Sequence, residues 1–244
     1  MEWIEVLGIP GAGKSSLLKN LNGTYQTNSI KQTWYAENTI KYGIIRNLKK
    51  GNIEVSKKLL KAKFISNQKL NYKDKWKELI RLHEDGVKAL YIPKPAKYKL
   101  IHFYSNLVSR TLKYADLNLS KPVFLDEGII HNNCCKLNDL SGFESSQICF
   151  PKLVLYLEAD VLEVANEIKK NNSFESRGMA EFNFFSLSEI ATFLKELDCR
   201  NQEKIIFLKE NKIPVIKLNR KNSQTKIDFI RINREINEIL KKGL

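Results

Sequence analysis

The chain of 244 residues has little that would commit it to an unusual environment. It carries only four cysteines, Cys134, Cys135, Cys149 and Cys199, too few and too scattered for a disulfide framework. Neither a C-x-x-C pair nor paired histidine ligands occur, which argues against a structural zinc site and for reduced thiols. No apolar run approaches the roughly 20 residues that span a bilayer. The first residues include Glu2 and Glu5 and run straight into a glycine loop, leaving no room for a signal peptide. A cytoplasmic protein without a transmembrane segment is the expectation. Six prolines and eleven glycines are spread without a linker, a repeat or a low-complexity tract.

What is abundant is positive charge, +14 net from 41 Lys and Arg against 27 Asp and Glu. Such an excess attracts anionic partners, whether phosphorylated substrate, nucleic acid or membrane surface. The lysines are scattered in short clusters such as Lys49-Lys50 and Lys57-Lys58, so solvated helix faces account for them before a dedicated polyanion surface does. Nucleic acid is therefore a secondary expectation as partner.

Apolar strands alternate with helical patterns. Strands are expected at Glu2–Leu7, Lys121–Asp126, Lys152–Glu158 and Ile213–Leu218, and helices at Lys14–Leu21 and Val161–Lys170. From about Trp34 to Leu119 the pattern is mostly helical: Trp76, Leu79-Ile80 and His83 recur at helical spacing, as do Leu100, Phe103, Leu107 and Thr111. Ser186 with Glu189 forms a capping-box signature opening a helix with Ile190, Leu194 and Leu197 on one face. A final amphipathic helix uses Phe229, Ile232, Ile236 and Ile239-Leu240. Continuous apolar strands separated by helices imply a parallel sheet covered by helices on both faces. The expectation is one α/β domain over residues 1–244, with a helical insertion at about 34–120 and a lid at about 169–185.

Gly8-Ile9-Pro10-Gly11-Ala12-Gly13-Lys14-Ser15 matches G-x-x-x-x-G-K-[ST], between an apolar strand and a helix start, the context this phosphate loop (Walker A) requires. Glycines let successive N–H groups turn inward on phosphate oxygens, and the next helix aims its positive end at the same anion. Gly8, Gly11, Ala12, Gly13, Lys14, Ser15 and Ser16 are the expected nucleotide contacts, with Lys14 on the β- and γ-phosphates and Ser15 on Mg²⁺. Val123-Phe124-Leu125 ends in Asp126-Glu127-Gly128, where a carboxylate can orient Mg²⁺ or accept a proton from an attacking hydroxyl. Asp126 is the first candidate and Glu127 the second.

Two rival P-loop classes fail on spacing. Leu140-Ser141-Gly142-Phe143-Glu144 echoes a transporter ATPase signature but follows the acidic strand and lacks the second glycine. Asn211-Lys212-Ile213-Pro214 begins like a guanine-specificity motif but has proline where aspartate must stand.

The layout resembles the P-loop small-molecule kinases, thymidylate and deoxynucleoside kinases in particular. The features shared are the loop Gly8–Ser15, the strand end Asp126-Glu127-Gly128, and a strand, helix and polar loop running from Leu153 past Lys170 to Arg177. The loop form and the Asp-Glu-Gly turn are also similar to uncharacterised kinase-like proteins associated with surface-sugar biosynthesis. The likeness implies an ATP- and Mg²⁺-dependent phosphotransferase acting on a small hydroxylated or phosphorylated acceptor: a nucleoside, nucleotide or sugar. It implies a lid residue, Arg177, stabilising the transferring phosphoryl group, and a base on the acceptor hydroxyl, Glu37, in Trp34-Tyr35-Ala36-Glu37. A solvated loop arginine and an ordinary exposed acid near a helix start are the plain alternatives. Family members usually have arginine beside the strand-end acid and several arginines in the lid; here Glu127-Gly128 follows the acid, and the lid run offers Lys169, Lys170 and Arg177. Arg46, Arg81 and Arg110 are unranked candidates for an anionic acceptor, and His83, His102 and His131 read as packing or surface residues. An NTPase coupled to a nucleic-acid or protein partner is the alternative function.

Overall fold

The computed structural model describes residues 3–27, 33–37, 70–90, 94–116, 119–125, 128–134, 150–171, 184–221 and 225–242. Five parallel strands form one sheet: β1 (Trp3–Leu7), β2 (Tyr35–Ala36), β3 (Val123–Leu125), β4 (Leu153–Glu158) and β5 (Val215–Asn219), in the order β2-β3-β1-β4-β5. Helices flank it, so the chain has an α/β fold. The order places β1 centrally: the chain visits β2 and β3 on one side, then crosses to β4 and β5 on the other.

By compactness the chain divides into two units, one of Met1–Glu5 with Lys31–Leu153, the other of Val6–Ile30 with Val154–Leu244. In the first, β3 pairs with β1 in the register Trp3↔Val123, Ile4↔Phe124, Glu5↔Leu125, and with β2 as Tyr35↔Val123 and Ala36↔Phe124. Pro122 precedes β3, where its missing N–H costs nothing, and its carbonyl accepts from Tyr35 N–H at 2.9 Å. Trp34 is buried edge-on against Phe124, with ring centroids 4.9 Å apart. The expectation of helix from Trp34 onward is thus corrected at its start. Two residues carry no period to read, and Trp-Tyr favours an extended chain that packs on the sheet.

Helices α2 (Leu70–Ala89) and α3 (Lys94–Asp116) follow in the same unit. His83 stacks on Tyr104 at 4.0 Å with planes 7° apart. His83 Nδ1 accepts from Cys134 N–H at 3.2 Å, and Nε2 faces Leu100 O at 3.3 Å, so the proton sits on Nε2. Asn133 Nδ2 donates to Leu79 O and to the Tyr104 hydroxyl. His83 is a packing residue, as expected. Phe103 is not: it is 40% exposed, and Tyr104, with Leu107, Val108 and Thr111, fills the inward face instead. One helical step is about 100°, and the buried stripe runs through 104, 107, 108, 111 and 114, with 103 turned out of it.

In the second unit lie α1 (Lys14–Thr27), β4, α5 (Val161–Lys170), α6 (Leu187–Glu210), β5 and α7 (Lys226–Lys242), helix α4 (Ile129–Asn132) belonging to the first. Strands β4 and β5 pair from Val154↔Val215 to Glu158↔Asn219. β4 is buried from Leu153 to Leu157, whereas β5, at the sheet edge, buries only Ile216 and Leu218. Three of these helix starts, those of α5, α6 and α7, carry a polar capping group. Asp160 accepts from Glu163 N–H, Ser186 and Glu189 make the full capping box, and Thr225 with Asp228 makes a reciprocal pair.

On α7 the apolar stripe Phe229, Ile232, Ile236 and Leu240 is buried as expected, but Asn233 and Asn237 share its face. Asn233 Nδ2 donates to Leu21 O at 3.0 Å and to Thr24 Oγ1 at 2.5 Å, tying α7 to α1 by polar contacts within an apolar seam. Asn233→Ala is expected to lower stability by about 1–3 kcal/mol, because it strips a buried donor from two acceptors. Urea unfolding of the two proteins measures this, and equal midpoints would refute it.

Candidate active site

The turn from β1 into α1 has a backbone that few side chains tolerate. Gly8, Gly11 and Gly13 have φ of 151°, 88° and 97°. At Gly8 a Cβ would lie 2.8 Å from the carbonyl oxygen of Leu157, so the loop crosses directly over the end of β4. At Gly11 a Cβ would meet Val164 Cγ1 at 2.8 Å and Ile168 Cδ1 at 3.2 Å, so the loop is seated against the apolar face of α5. Ala12 is buried, and its N–H returns to Ile9 O at 3.2 Å, closing the turn.

Helix α1 begins at Lys14, with Leu17 N–H bonded to Gly13 O at 2.9 Å. The N–H groups of a first helical turn have no acceptor within their own helix and carry its positive end. Lys14 Nζ folds back over the loop and donates to Gly8 O at 2.8 Å and Ile9 O at 3.1 Å. Lys14 is half-buried, and Ser15 and Ser16 are exposed. The expected nucleotide contacts Gly8, Gly11, Ala12, Gly13, Lys14, Ser15 and Ser16 therefore lie in one short ring at the head of α1. That segment presents an ammonium and two hydroxyls beside the N–H groups of a first helical turn, a donor set suited to phosphate oxygens.

Glu37 follows β2 directly, one step past the Ala36↔Phe124 pairing, at the carboxyl end of the sheet. It is only 2% exposed, which excludes the ordinary exposed acid. Tyr114 donates its hydroxyl to Glu37 Oε1 at 2.9 Å, and Arg110 Nε lies 3.0 Å from the same oxygen as an ion pair. Burial, reinforced by the Glu37 carboxylate, pushes the Tyr114 hydroxyl well above its ordinary value, so it remains protonated and donates. The three arginines that the sequence left unranked now separate. Arg81 is held on the surface by Glu78 and Asp85, Arg110 is committed to Glu37, and Arg46 lies outside the described residues.

Asp126, Glu127 and Arg177 also lie outside the described residues. No group of three or more His, Cys, Asp or Glu side chains able to hold a metal occurs among the described residues. Of the expected Mg²⁺ ligands, Ser15 is described.

One residue at this end of the sheet escaped the sequence reading. Glu5, on β1, is fully buried and its carboxylate meets the start of α4: Ile129 N–H donates to Oε1 at 2.8 Å, Ile130 N–H to Oε2 at 3.0 Å and His131 N–H to Oε2 at 3.2 Å. Trp3 Nε1 adds a donor to Oε1 at 2.6 Å. Gly128 packs so closely on this carboxylate that a Cβ there would collide with it. The available signal was a lone acid inside Trp-Ile-Glu-Val-Leu, since a charge in a strand buried on both faces demands partners.

Comparison of the chain with protein-family models and with curated proteins returns no match.

Burial pushes the Glu5 carboxyl above its ordinary value of 4.5, opposed by the Trp3 indole and by the three backbone donors. A raised carboxyl value in the folded state means stability that is present below the unfolded value and lost as pH rises through the folded one. Glu5→Gln removes this titration. The stability difference between wild type and Glu5→Gln is therefore expected to favour wild type most at low pH and to shrink as pH rises above 4.5. Denaturant midpoints of both proteins over that range decide it, and a pH-independent difference would contradict it.

Proposed function

We propose that the chain is an ATP- and Mg²⁺-dependent phosphotransferase acting on a small hydroxylated or phosphorylated acceptor such as a nucleoside, nucleotide or sugar. The observation that carries this reading is the ring at Gly8–Ser15: three positive-φ glycines, a loop pressed onto β4 and α5, and an ammonium folded over it at the head of a helix. The buried Glu37 cluster at the carboxyl end of β2 supports it further.

In this reading the loop amides and the start of α1 bind the phosphate chain and hold it in line for attack. Lys14 exchanges its bonds to Gly8 and Ile9 carbonyls for phosphate oxygens and follows the charge that builds there. The Ser15 hydroxyl, with Asp126 and Glu127, is the expected ligand set for Mg²⁺, which neutralises charge on the phosphates when bound. Glu37 takes the proton of the acceptor hydroxyl, and Arg177 is the proposed lid cation. A cytoplasmic location accords with that cofactor pair.

The net charge of +14 favours a second reading, an NTPase coupled to a nucleic-acid or protein partner. The two readings differ in where the phosphate goes. Incubation with labelled Mg·ATP and pooled nucleosides, nucleotides, sugars or oligonucleotides is expected to transfer label to one small-molecule pool. Lys14→Ala is expected to lower that transfer at least about 10²-fold, the scale of losing a positioned charge contact, while the circular-dichroism spectrum stays unchanged. Full transfer in Lys14→Ala would refute the mechanism, and free phosphate released only with polynucleotide would select the second reading.

A further inference from the structure

We propose that Arg220 is a positioning residue for the phosphate loop, bracing the two supports on which that loop sits, an inference that rests on the nucleotide site of the phosphotransferase reading above. The supports are separate pieces of chain. Gly8 lies on the carbonyl of Leu157, near the end of β4, and Gly11 lies on Val164 and Ile168 of α5. Both contacts leave no room for a Cβ, so a tilt between strand end and helix is felt directly by the loop.

Arg220 stands one residue past β5 and holds both supports at once. Its N–H donates at 2.8 Å to the carbonyl of Glu158, the residue after Leu157. Its guanidinium Nη2 donates to Glu167 Oε1 at 2.9 Å and Oε2 at 2.7 Å. Glu167 precedes Ile168 and lies three residues past Val164, so it sits beside the stretch of α5 that meets Gly11. All of these residues belong to the second unit.

Two further ion pairs join the same elements, Lys217 with Glu158 at 3.5 Å and Lys221 with Glu163 at 3.0 Å. Both lysines are exposed, and pairs of that kind constrain little. Arg220, at 23%, is the most enclosed of the three cations. Its planar head reaches both carboxylate oxygens from a backbone already bonded to β4. Such a contact fixes position, whereas an ammonium on a flexible stem supplies attraction.

Calorimetric titration with Mg·ADP tests this without an acceptor. Arg220→Ala and Glu167→Gln are each expected to raise Kd about tenfold, and the double variant no further than either alone, because both break one contact. Glu167→Gln separates bracing from charge. It removes a negative charge from the helix against which the loop is seated, so electrostatics alone would tighten the binding of an anion, whereas loss of the brace weakens it. It also decides the matter alone where Arg220→Ala fails to fold. Unchanged or tighter binding by Glu167→Gln, or losses that add in the double variant, overturns the brace and leaves the nucleotide site intact. A wild type that binds no Mg·ADP overturns that site, and this inference with it.

Discussion

The turn between β1 and α1 depends on there being no side chain at Gly8. Its backbone lies against the Leu157 carbonyl at a distance that any Cβ would fill. That approach brings the loop down onto β4, and a second one at Gly11 presses it on Val164 and Ile168 of α5. With the loop pinned at both points, α1 starts at Lys14 and its first amides turn back toward the loop. Capping on α5, α6 and α7 then fixes where the surrounding helices begin.

Two buried carboxylates meet the same desolvation cost by different routes. Glu5 is answered by N–H donors alone, three from the start of α4 and one from Trp3, all neutral groups in fixed positions. That arrangement holds a turn. Glu37 is met by a cation and a phenol, Arg110 and Tyr114, both from α3. The first carboxylate is fully enclosed, whereas the second shares its site with an arginine that reaches solvent.

Much of this was legible in the residues. Apolar runs marked β1, β3, β4 and β5 to within two residues at each end; β1, β3 and β4 lie inside the sheet and are buried almost throughout, and β5 keeps the alternating Ile216 and Leu218. Helix α5 and the Ser186–Glu189 box followed from local polar signals that operate without tertiary context. The loop could be placed because its glycines, lysine and serine are dictated by backbone geometry and charge. β2 was illegible because two residues have no period, and its place comes from pairing with β3 nearly ninety residues later. The partners of Glu37 were hidden for the same reason, since Arg110 and Tyr114 reach it across more than seventy residues of chain. Asn233 and Asn237 were hidden because a polar residue on an apolar stripe reads as an interruption until its acceptors on α1 are known.

Lys14 carries a consequence for energetics. Its ammonium already has two carbonyl acceptors, so a phosphate bound there as proposed would not meet a bare charge. Binding becomes an exchange of partners, in which two dipolar bonds are surrendered for charge-assisted ones. The net gain is smaller than the strength of a lysine–phosphate bond, and it grows with the number of charges the ligand brings. If the loop binds phosphate as proposed, its own carbonyl acceptors would favour a polyphosphate over inorganic phosphate.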